Sequence, residues 1–139
     1  GNLGTMLRTA DAVGVNGLII CNRCTDVFNP NVIRASTGTL FSVPLAEATS
    51  EEALLWLQNN KIKTVAADPF AKNVYYQQNY VGPIAIILGA EQFGLSQLWK
   101  DKSDILVSIP MNGLADSLNV AQAGTILLFE ALRQQDLKG

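Results

Sequence analysis

The sequence contains no histidine, and so it lacks the commonest general base and the commonest metal ligand of proteins. Its two cysteines, Cys21 and Cys24, form a C-x-x-C pair, but zinc needs four ligands and no other cysteine or histidine completes the set. The pair follows an apolar strand without opening a helix, unlike a thioredoxin-type redox motif. We therefore predict reduced thiols, no bound metal, and chemistry that does not use histidine.

Charge and long apolar runs are scarce as well. Charged residues make up 16% of the chain and the net charge is −2, so there is no overall basic surface for nucleic acid. No apolar run is long enough to span a membrane, and no secretory signal pattern opens the sequence. The 139 residues, 48% of them hydrophobic, predict one compact domain over residues 1–139 in the cytoplasm.

Short apolar segments alternate with helical patterns along the chain. The helical patterns cover residues 3–13, a turn at 29–36, residues 49–60 with Thr49 and Glu52 spaced as a capping box, 95–101, and 117–136. Between them lie strand-like runs at 17–21, 40–45, 62–67, 84–88 and 105–109. Strands that are apolar throughout and alternate with helices predict an α/β fold with a parallel sheet covered on both faces. Ligands of such sheets bind beyond the carboxyl ends of the strands.

The loop Gly89–Ser96 has the G-x-x-x-x-G spacing of a phosphate-binding loop. Leu95 stands where that loop needs a lysine, and Glu91 would place negative charge against a phosphate, so a nucleoside triphosphate site is disfavoured. No G-x-G-x-x-G motif for a dinucleotide is present either. A plain glycine-rich turn and a ligand-facing acid at a strand end both remain open for this segment.

Polar residues mark the start of the last helix and the middle of the first. Ser117 is suited to cap the last helix, whereas Asn119, in the first turn of an apolar helix, needs a partner for its amide. Arg8 lies in the first helix beside Thr9. A solvated arginine is the simpler interpretation of Arg8 taken alone, because most arginines are exposed.

Three segments together resemble one family. "NLGTMLRTADAVG", "ILGAEQFGLS" and "IPMNGLADSLNVAQAGTILLFEALRQ" are similar to the signature motifs of the SpoU/TrmH-type RNA ribose 2′-O-methyltransferases of the SPOUT class, in order and over essentially the whole chain. The resemblance implies a mostly parallel sheet with helices on both faces and a C-terminal trefoil knot. It also implies S-adenosylmethionine as methyl donor, a homodimer, and tRNA or rRNA as substrate.

The resemblance also implies residue roles. Main-chain groups of Gly89, Ile109 and Leu118, with Met111 nearby, would hold the adenine of the cofactor. Arg8 matches the catalytic arginine. The remaining matches are the motif-one asparagine Asn2, the motif-two acid Glu91, and Ser117 and Asn119 on the side of methyl transfer. Gln92 and Ala121-Gln122 depart from residues that are common in the family, without touching these roles.

Family members carry a strand before the motif-one asparagine, and many carry an N-terminal RNA-binding domain. This sequence opens directly on the first motif, so both are expected to be absent from residues 1–139. The last helix is apolar around much of its circumference, which independently favours a dimer. A non-catalytic module that binds an adenosyl ligand or RNA is the alternative function, and the presence of both Arg8 and Asn119 favours the enzyme.

Overall fold

The computed structural model describes residues 2–21, 43–89, 94–113 and 118–138. The helices are α1 (Asn2–Val13), α2 (Ser50–Asn59), α3 (Gln97–Lys102) and α4 (Val120–Lys138), and a 3₁₀ turn spans Tyr75–Gln77. The strands are β1 (Leu18–Cys21), β2 (Leu45–Ala48), β3 (Lys63–Ala67), β4 (Asn73–Val74), β5 (Ile84–Ile87) and β6 (Ile105–Ser108). The chain forms two compact units, Gly1–Ala53 and Leu54–Gly139.

In the first unit, β1 pairs in parallel with β2, from Leu18 opposite Leu45 to Cys21 opposite Ala48. Of the strand predicted over residues 40–45, the prediction was wrong at Val43 and Pro44, because β2 begins at Leu45. Pro44 has no N–H to donate to a ladder, and its carbonyl oxygen instead accepts a hydrogen bond from the Leu18 amide at 2.9 Å. Residues 40–42, the turn at 29–36 and Cys24 lie outside the described residues.

The second unit contains a four-stranded parallel sheet in the order β4-β6-β3-β5. Every strand pair in the described residues is parallel, which confirms the α/β class. The short strand β4 was not predicted, because two residues carry no periodic pattern and the strand exists only through its pairing with β6. The trefoil knot stays a prediction, since residues 90–93 and 114–117 lie outside the described part of the chain.

A side-chain clamp sets the register between β3 and β6. Asp104 Oδ2 accepts hydrogen bonds from the Thr64 backbone N–H at 2.7 Å and from Thr64 Oγ1 at 3.1 Å. The Asp104 backbone N–H in turn donates to Thr64 Oγ1 at 2.8 Å. Thr64 is buried, so these bonds also satisfy polar groups that would otherwise be costly to remove from water.

The core of the second unit joins the sheet to the last helix. Its buried members are Val65, Tyr80, Val107, Leu127 and Ala131. The Tyr80 hydroxyl donates to the carbonyl oxygen of Tyr75 at 2.7 Å. Desolvation by burial, with a smaller contribution from the Glu130 charge, raises the pKa of Tyr80 to about 12, so the phenol stays neutral. Among the described residues, no helix is long and apolar enough to cross a membrane.

Reciprocal hydrogen bonds cap the start of α2. At α2 the predicted capping box is confirmed: the Thr49 N–H donates to Glu52 Oε1 at 2.8 Å and the Glu52 N–H donates to Thr49 Oγ1 at 3.0 Å. The backbone bond from Thr49 is the main reason why the pKa of Glu52 is lowered. At the last helix, the predicted start at residue 117 was wrong, because α4 begins at Val120.

The ends of α1 and α2 share a Schellman geometry, but only one of them uses glycine. Gly14 ends α1 with φ of 78°, and the amide of Val15 reaches back to the Ala10 carbonyl at 3.1 Å. At α2 the equivalent residue is Lys61 with φ of 56°, followed by the bond from the Ile62 amide to the Leu57 carbonyl at 2.9 Å. A side chain in this left-handed region is strained, so α2 ends at a small energetic cost.

Replacing Lys61 by glycine is expected to stabilise the protein. Relief of roughly 1–2 kcal/mol of left-handed strain exceeds the roughly 0.5–1 kcal/mol entropic cost of a glycine, leaving a gain of about 0.5–1 kcal/mol. Urea denaturation measures the change in the unfolding free energy. Gly14→Ala is the matched control and should lower stability; a loss of stability in Lys61→Gly would contradict the strain.

Candidate functional site

A cavity of about 140 Å³ opens beyond the carboxyl ends of three neighbouring parallel strands. This is the edge where ligands of such sheets bind. The strand ends and the residues after them supply most of its wall, and the first turn of α4 supplies the rest. The lining residues are Ala67, Asp68, Pro69, Leu88, Gly89, Gly94, Leu95, Val107, Ile109, Met111, Leu118, Asn119, Val120 and Ala123.

The structure brings several of the predicted site residues together. All four residues expected to hold an adenine (Gly89, Ile109, Met111 and Leu118) line this cavity, and so does Asn119. They come from segments that follow β5 and β6, which meet at one edge because both strands run parallel to β3. Their role in binding remains a prediction, but their convergence is a property of the fold.

Other predicted site residues lie elsewhere or outside the described residues. Arg8 is on α1 in the first unit, and its side chain is exposed. Asn2 is the first residue of α1, and its side chain is outside what the structure describes. Glu91 and Ser117 fall within residues 90–93 and 114–117, which are not described.

Sequence reasoning missed the contribution of the segment after β3. Ala67, Asp68 and Pro69 line the cavity, together with Leu95 from the loop before α3. The rule that placed Gly89 and Ile109 at the ligand edge applies equally to the residues after β3. An acid directly after a buried parallel strand was therefore the available signal for Asp68.

The chemistry of the cavity favours a largely uncharged ligand with a localised positive charge. Most of its side chains are aliphatic, which suits the faces of a planar ring. Among the lining residues that the structure describes, one is charged, the half-buried Asp68. A carboxylate at the edge of an apolar wall favours a cationic group over an anionic one, so a phosphate is a poor occupant.

Asn119 is the N-cap of α4, and this answers why an apolar helix begins with an amide. Its Oδ1 accepts a hydrogen bond from the Gln122 N–H at 2.9 Å, and its own N–H donates to Gln122 Oε1 at 3.3 Å. The pair is a capping box, with asparagine and glutamine in place of the commoner residues. The cap fixes the amide of Asn119 at the wall of the cavity.

Cys21 ends β1 as a free, half-buried thiol. Burial is the main reason why its pKa is raised, and a hydrogen bond with Ser50 acts in the opposite direction. A raised pKa keeps the sulfur protonated, which argues against a nucleophilic role. Across the described ranges, no group of histidine, cysteine and acidic residues is arranged to hold a metal ion.

Gly89 lies against the backbone of the next loop. A Cβ at this position would overlap the Gly94 carbonyl carbon and the Leu95 nitrogen, and it would lie 2.6 Å from the Gly94 oxygen. Gly94 itself has φ of 68°, a conformation that favours glycine. These two glycines let the chain after β5 fold back on itself and present main-chain groups to the cavity.

Gly89→Ala is expected to distort the cavity and destabilise the protein, because the atoms that its methyl group meets are backbone and cannot rotate away. A loss of roughly 1–3 kcal/mol is typical of such overpacking, measured as a lower midpoint in urea. Gly113→Ala is the matched control, since its Cβ would meet nothing within 4 Å on the loop after Met111. Equal stability of the two variants would show that the close approach is not required.

Comparison with known proteins assigns the chain to a family. Residues 1–129 match the SpoU rRNA Methylase family. A 23S rRNA (uridine(2479)-2′-O)-methyltransferase from Streptomyces viridochromogenes is 38% identical over 141 residues, covering 97% of this chain and 49% of the relative. The 23S rRNA (guanosine-2′-O-)-methyltransferase RlmB of Escherichia coli K12 is 38% identical over 135 residues, covering 96% of this chain and 56% of its own.

Solved structures agree with this assignment. The SpoU methyltransferase AviRb from Streptomyces viridochromogenes, in complex with the cofactor AdoMet, superimposes with a TM-score of 0.91 at 37% identity, covering 99% of this chain and 56% of AviRb. The chain thus spans about half the length of the curated relatives that it matches. This chain belongs to the SpoU rRNA methylase family.

Proposed function

We propose that this protein is an S-adenosylmethionine-dependent methyltransferase that modifies a ribose 2′-hydroxyl of rRNA or tRNA. The observation that carries the proposal is the cavity at the carboxyl ends of β3, β5 and β6, where Gly89, Ile109, Met111 and Leu118 converge. Relatives named as 23S rRNA 2′-O-methyltransferases support rRNA, and a structure titled as a TrmH/SpoU tRNA modifying enzyme from A. aeolicus keeps tRNA open. We propose that the reaction takes place in the cytoplasm.

The residues of the cavity fit S-adenosylmethionine. Neutral main-chain groups of Gly89, Ile109 and Leu118 would bind the polar edge of the adenine, and Met111 would contact its face. Asp68 adds a carboxylate suited to the ammonium or sulfonium charge of the ligand. When bound, S-adenosylmethionine supplies an electrophilic methyl group on a positively charged sulfur.

Arg8 would act on the RNA and not as a base. A guanidinium is not deprotonated in proteins under ordinary conditions, so it is poorly suited to accept the proton of a ribose hydroxyl. As a permanently charged group, Arg8 would hold a phosphate of the substrate and stabilise the negative charge that develops on the attacking oxygen. Glu91 would orient Arg8, and Asn2 would act beside it as the motif-one asparagine.

Asn119 and Ser117 would position the ribose. The capping bond holds the Oδ1 of Asn119, so the amide Nδ2 is the group that would donate to a ribose oxygen. A side chain that is locked by a helix cap loses little entropy when it binds. Ser117 would make a second contact with the ribose, through its hydroxyl group.

We also propose a homodimer that uses α4. Leu127 and Ala131 face the core, whereas Phe129 on the same helix is 46% exposed. The helix therefore has an apolar residue on a face that the single chain does not cover, as expected for a helix that packs against a second copy.

Arg8→Ala is expected to reduce methyl transfer at least about 100-fold, the usual effect of removing a group that stabilises transition-state charge. Binding of S-adenosylhomocysteine, followed by the shift in melting temperature, should stay near that of the wild type. The assay uses the protein as the cell makes it, with unmodified rRNA and tRNA transcripts. Lys100→Ala, which removes an exposed cation from α3, is the control and should retain activity.

Arg8→Lys tests whether residue 8 acts as a cation or as a base. Neither an arginine nor an exposed lysine loses its proton near neutral pH, so the pH profile of kcat/KM should keep its shape while RNA affinity falls. A new rise in rate with pH in the lysine variant would show that a base is needed at this position. Cofactor binding with no transfer to either RNA would favour a non-catalytic module.

If α4 forms the dimer interface, substitution of Phe129 should change the molecular mass measured in solution. Phe129→Glu should give a monomer by light scattering, because a charge in an apolar interface costs several kcal/mol to desolvate. Leu55→Glu, at a 58% exposed position on α2, is the control and should leave the mass unchanged. A monomeric wild-type protein, or a dimer that survives Phe129→Glu, would rule out this use of α4.

A further inference from the structure

An exposed aromatic residue, Phe70, lies in the loop between β3 and β4, next in sequence to residues that line the cavity. Phe70 is 86% exposed, the largest exposed fraction among the large hydrophobic residues that the structure leaves in solvent. Exposed phenylalanines are uncommon, because burying such a side chain contributes about 1.5–3 kcal/mol. The two residues before it, Asp68 and Pro69, line the cavity.

The loop that carries Phe70 is fixed at both ends to the same residue of β6. At its start, the Asp68 N–H donates to the Val107 carbonyl at 2.9 Å. At its end, Asn73 pairs with Val107 in the sheet, and its Nδ2 donates to the Leu106 carbonyl at 3.3 Å. Because Val107 is buried and lines the cavity, both ends of the loop are attached at the wall of the cavity.

Hydrogen bonds to Asp68 form a turn within the loop that carries Phe70. Asp68 Oδ1 accepts a hydrogen bond from the Phe70 N–H at 3.0 Å, and the Asp68 carbonyl accepts one from the Ala71 N–H at 3.0 Å. Pro69 adds a fixed φ between them. Asp68, a residue that lines the cavity, therefore also holds the turn that carries Phe70.

We propose that Phe70 is a positioning residue that stacks on a nucleobase of the RNA substrate beside the target ribose, an inference that rests on the proposed methyltransferase function. Sequence-specific contacts to RNA are made mainly with unstacked bases, which stack on aromatic side chains. Stacking on a base needs no positive charge on the protein, which suits a chain with a net charge of −2 and little basic surface for phosphates. Lys72, two residues later in the same loop, is also exposed and adds a positive charge to the loop.

The ring and the cavity thus perform separate tasks. The cavity holds the cofactor, and Phe70 sets which nucleotide presents its 2′-hydroxyl. Because Phe70 itself is not among the lining residues, its loss should leave cofactor binding unchanged. Its high exposure also means that substitutions there should not disturb folding.

The experiment compares Phe70→Ala, Phe70→Tyr and Tyr76→Ala in the protein as the cell makes it. Phe70→Ala should weaken binding of unmodified rRNA or tRNA transcripts about 5-fold to 150-fold and raise KM more than it lowers kcat. The slope of binding against salt should stay the same, because stacking releases no counterions. Phe70→Tyr should restore affinity, and Tyr76→Ala, which removes another half-exposed ring, should behave as the wild type.

A spectroscopic readout reports stacking directly. Phe70→Trp should show fluorescence quenching, above that of the native Trp56 and Trp99, when a mixed-sequence single-stranded RNA is added. An abasic oligonucleotide of the same length should not quench the tryptophan.

The outcomes separate this inference from the function on which it rests. A wild-type enzyme that methylates RNA, with Phe70→Ala equal to it in affinity and KM, would overturn the stacking role alone. Loss of cofactor binding in Phe70→Ala would make the residue part of the cavity, and a changed mass in light scattering would make it a protein interface; either result overturns the proposal. A wild-type protein with no methyl transfer would overturn the function itself.

Discussion

The pairing of β3 with β6 is the constraint on which the ligand edge depends. Thr64 and Asp104 fix its register at the start of the strands, and this register sets Ala67 opposite Val107 at their ends. The loops that follow then leave the sheet side by side. A slip of one residue in β6 would move Val107 to the face of the sheet opposite Val65 and disturb the wall of the cavity.

Two kinds of recognition are divided between different parts of the sequence. The cavity is built from aliphatic side chains and backbone, as an uncharged ring requires, with a single carboxylate among its described lining residues. Arg8, the charged residue proposed to contact the RNA, comes from the first helix and is exposed. Under that proposal, a net charge of −2 is compatible with a reaction on RNA, because the contact with RNA depends on a local cation.

The sequence predicted those features that depend on local patterns. The positions of β3, β5 and β6, the end of α1 at Val13 and the capping box at Thr49 follow from periodicity and turn chemistry, and the structure has them. The family resemblance supplied Gly89, Ile109 and Leu118 as site residues, and the three residues line one cavity in the structure.

Features that depend on distant partners could not be predicted in this way. The strand β4 exists because β6 lies beside it, and β2 starts late because Pro44 precedes it and offers its carbonyl to β1. The start of α4 is a different case: it was misplaced because Ser117 was taken as the cap, although Asn119 and Gln122 have the local spacing of a capping box. Phe70 gave no signal, since exposure is a property of the folded chain.

The core of the second unit also has a consequence for biosynthesis. Leu127 and Ala131, which close that core over Val65 and Val107, belong to the last described helix to leave the ribosome. Until α4 emerges, the nascent chain holds apolar parallel strands with one face uncovered, a species prone to aggregate or to be held by chaperones. Translation speed over the codons of α4 should therefore influence the yield of native protein more than the same change over the codons of α1.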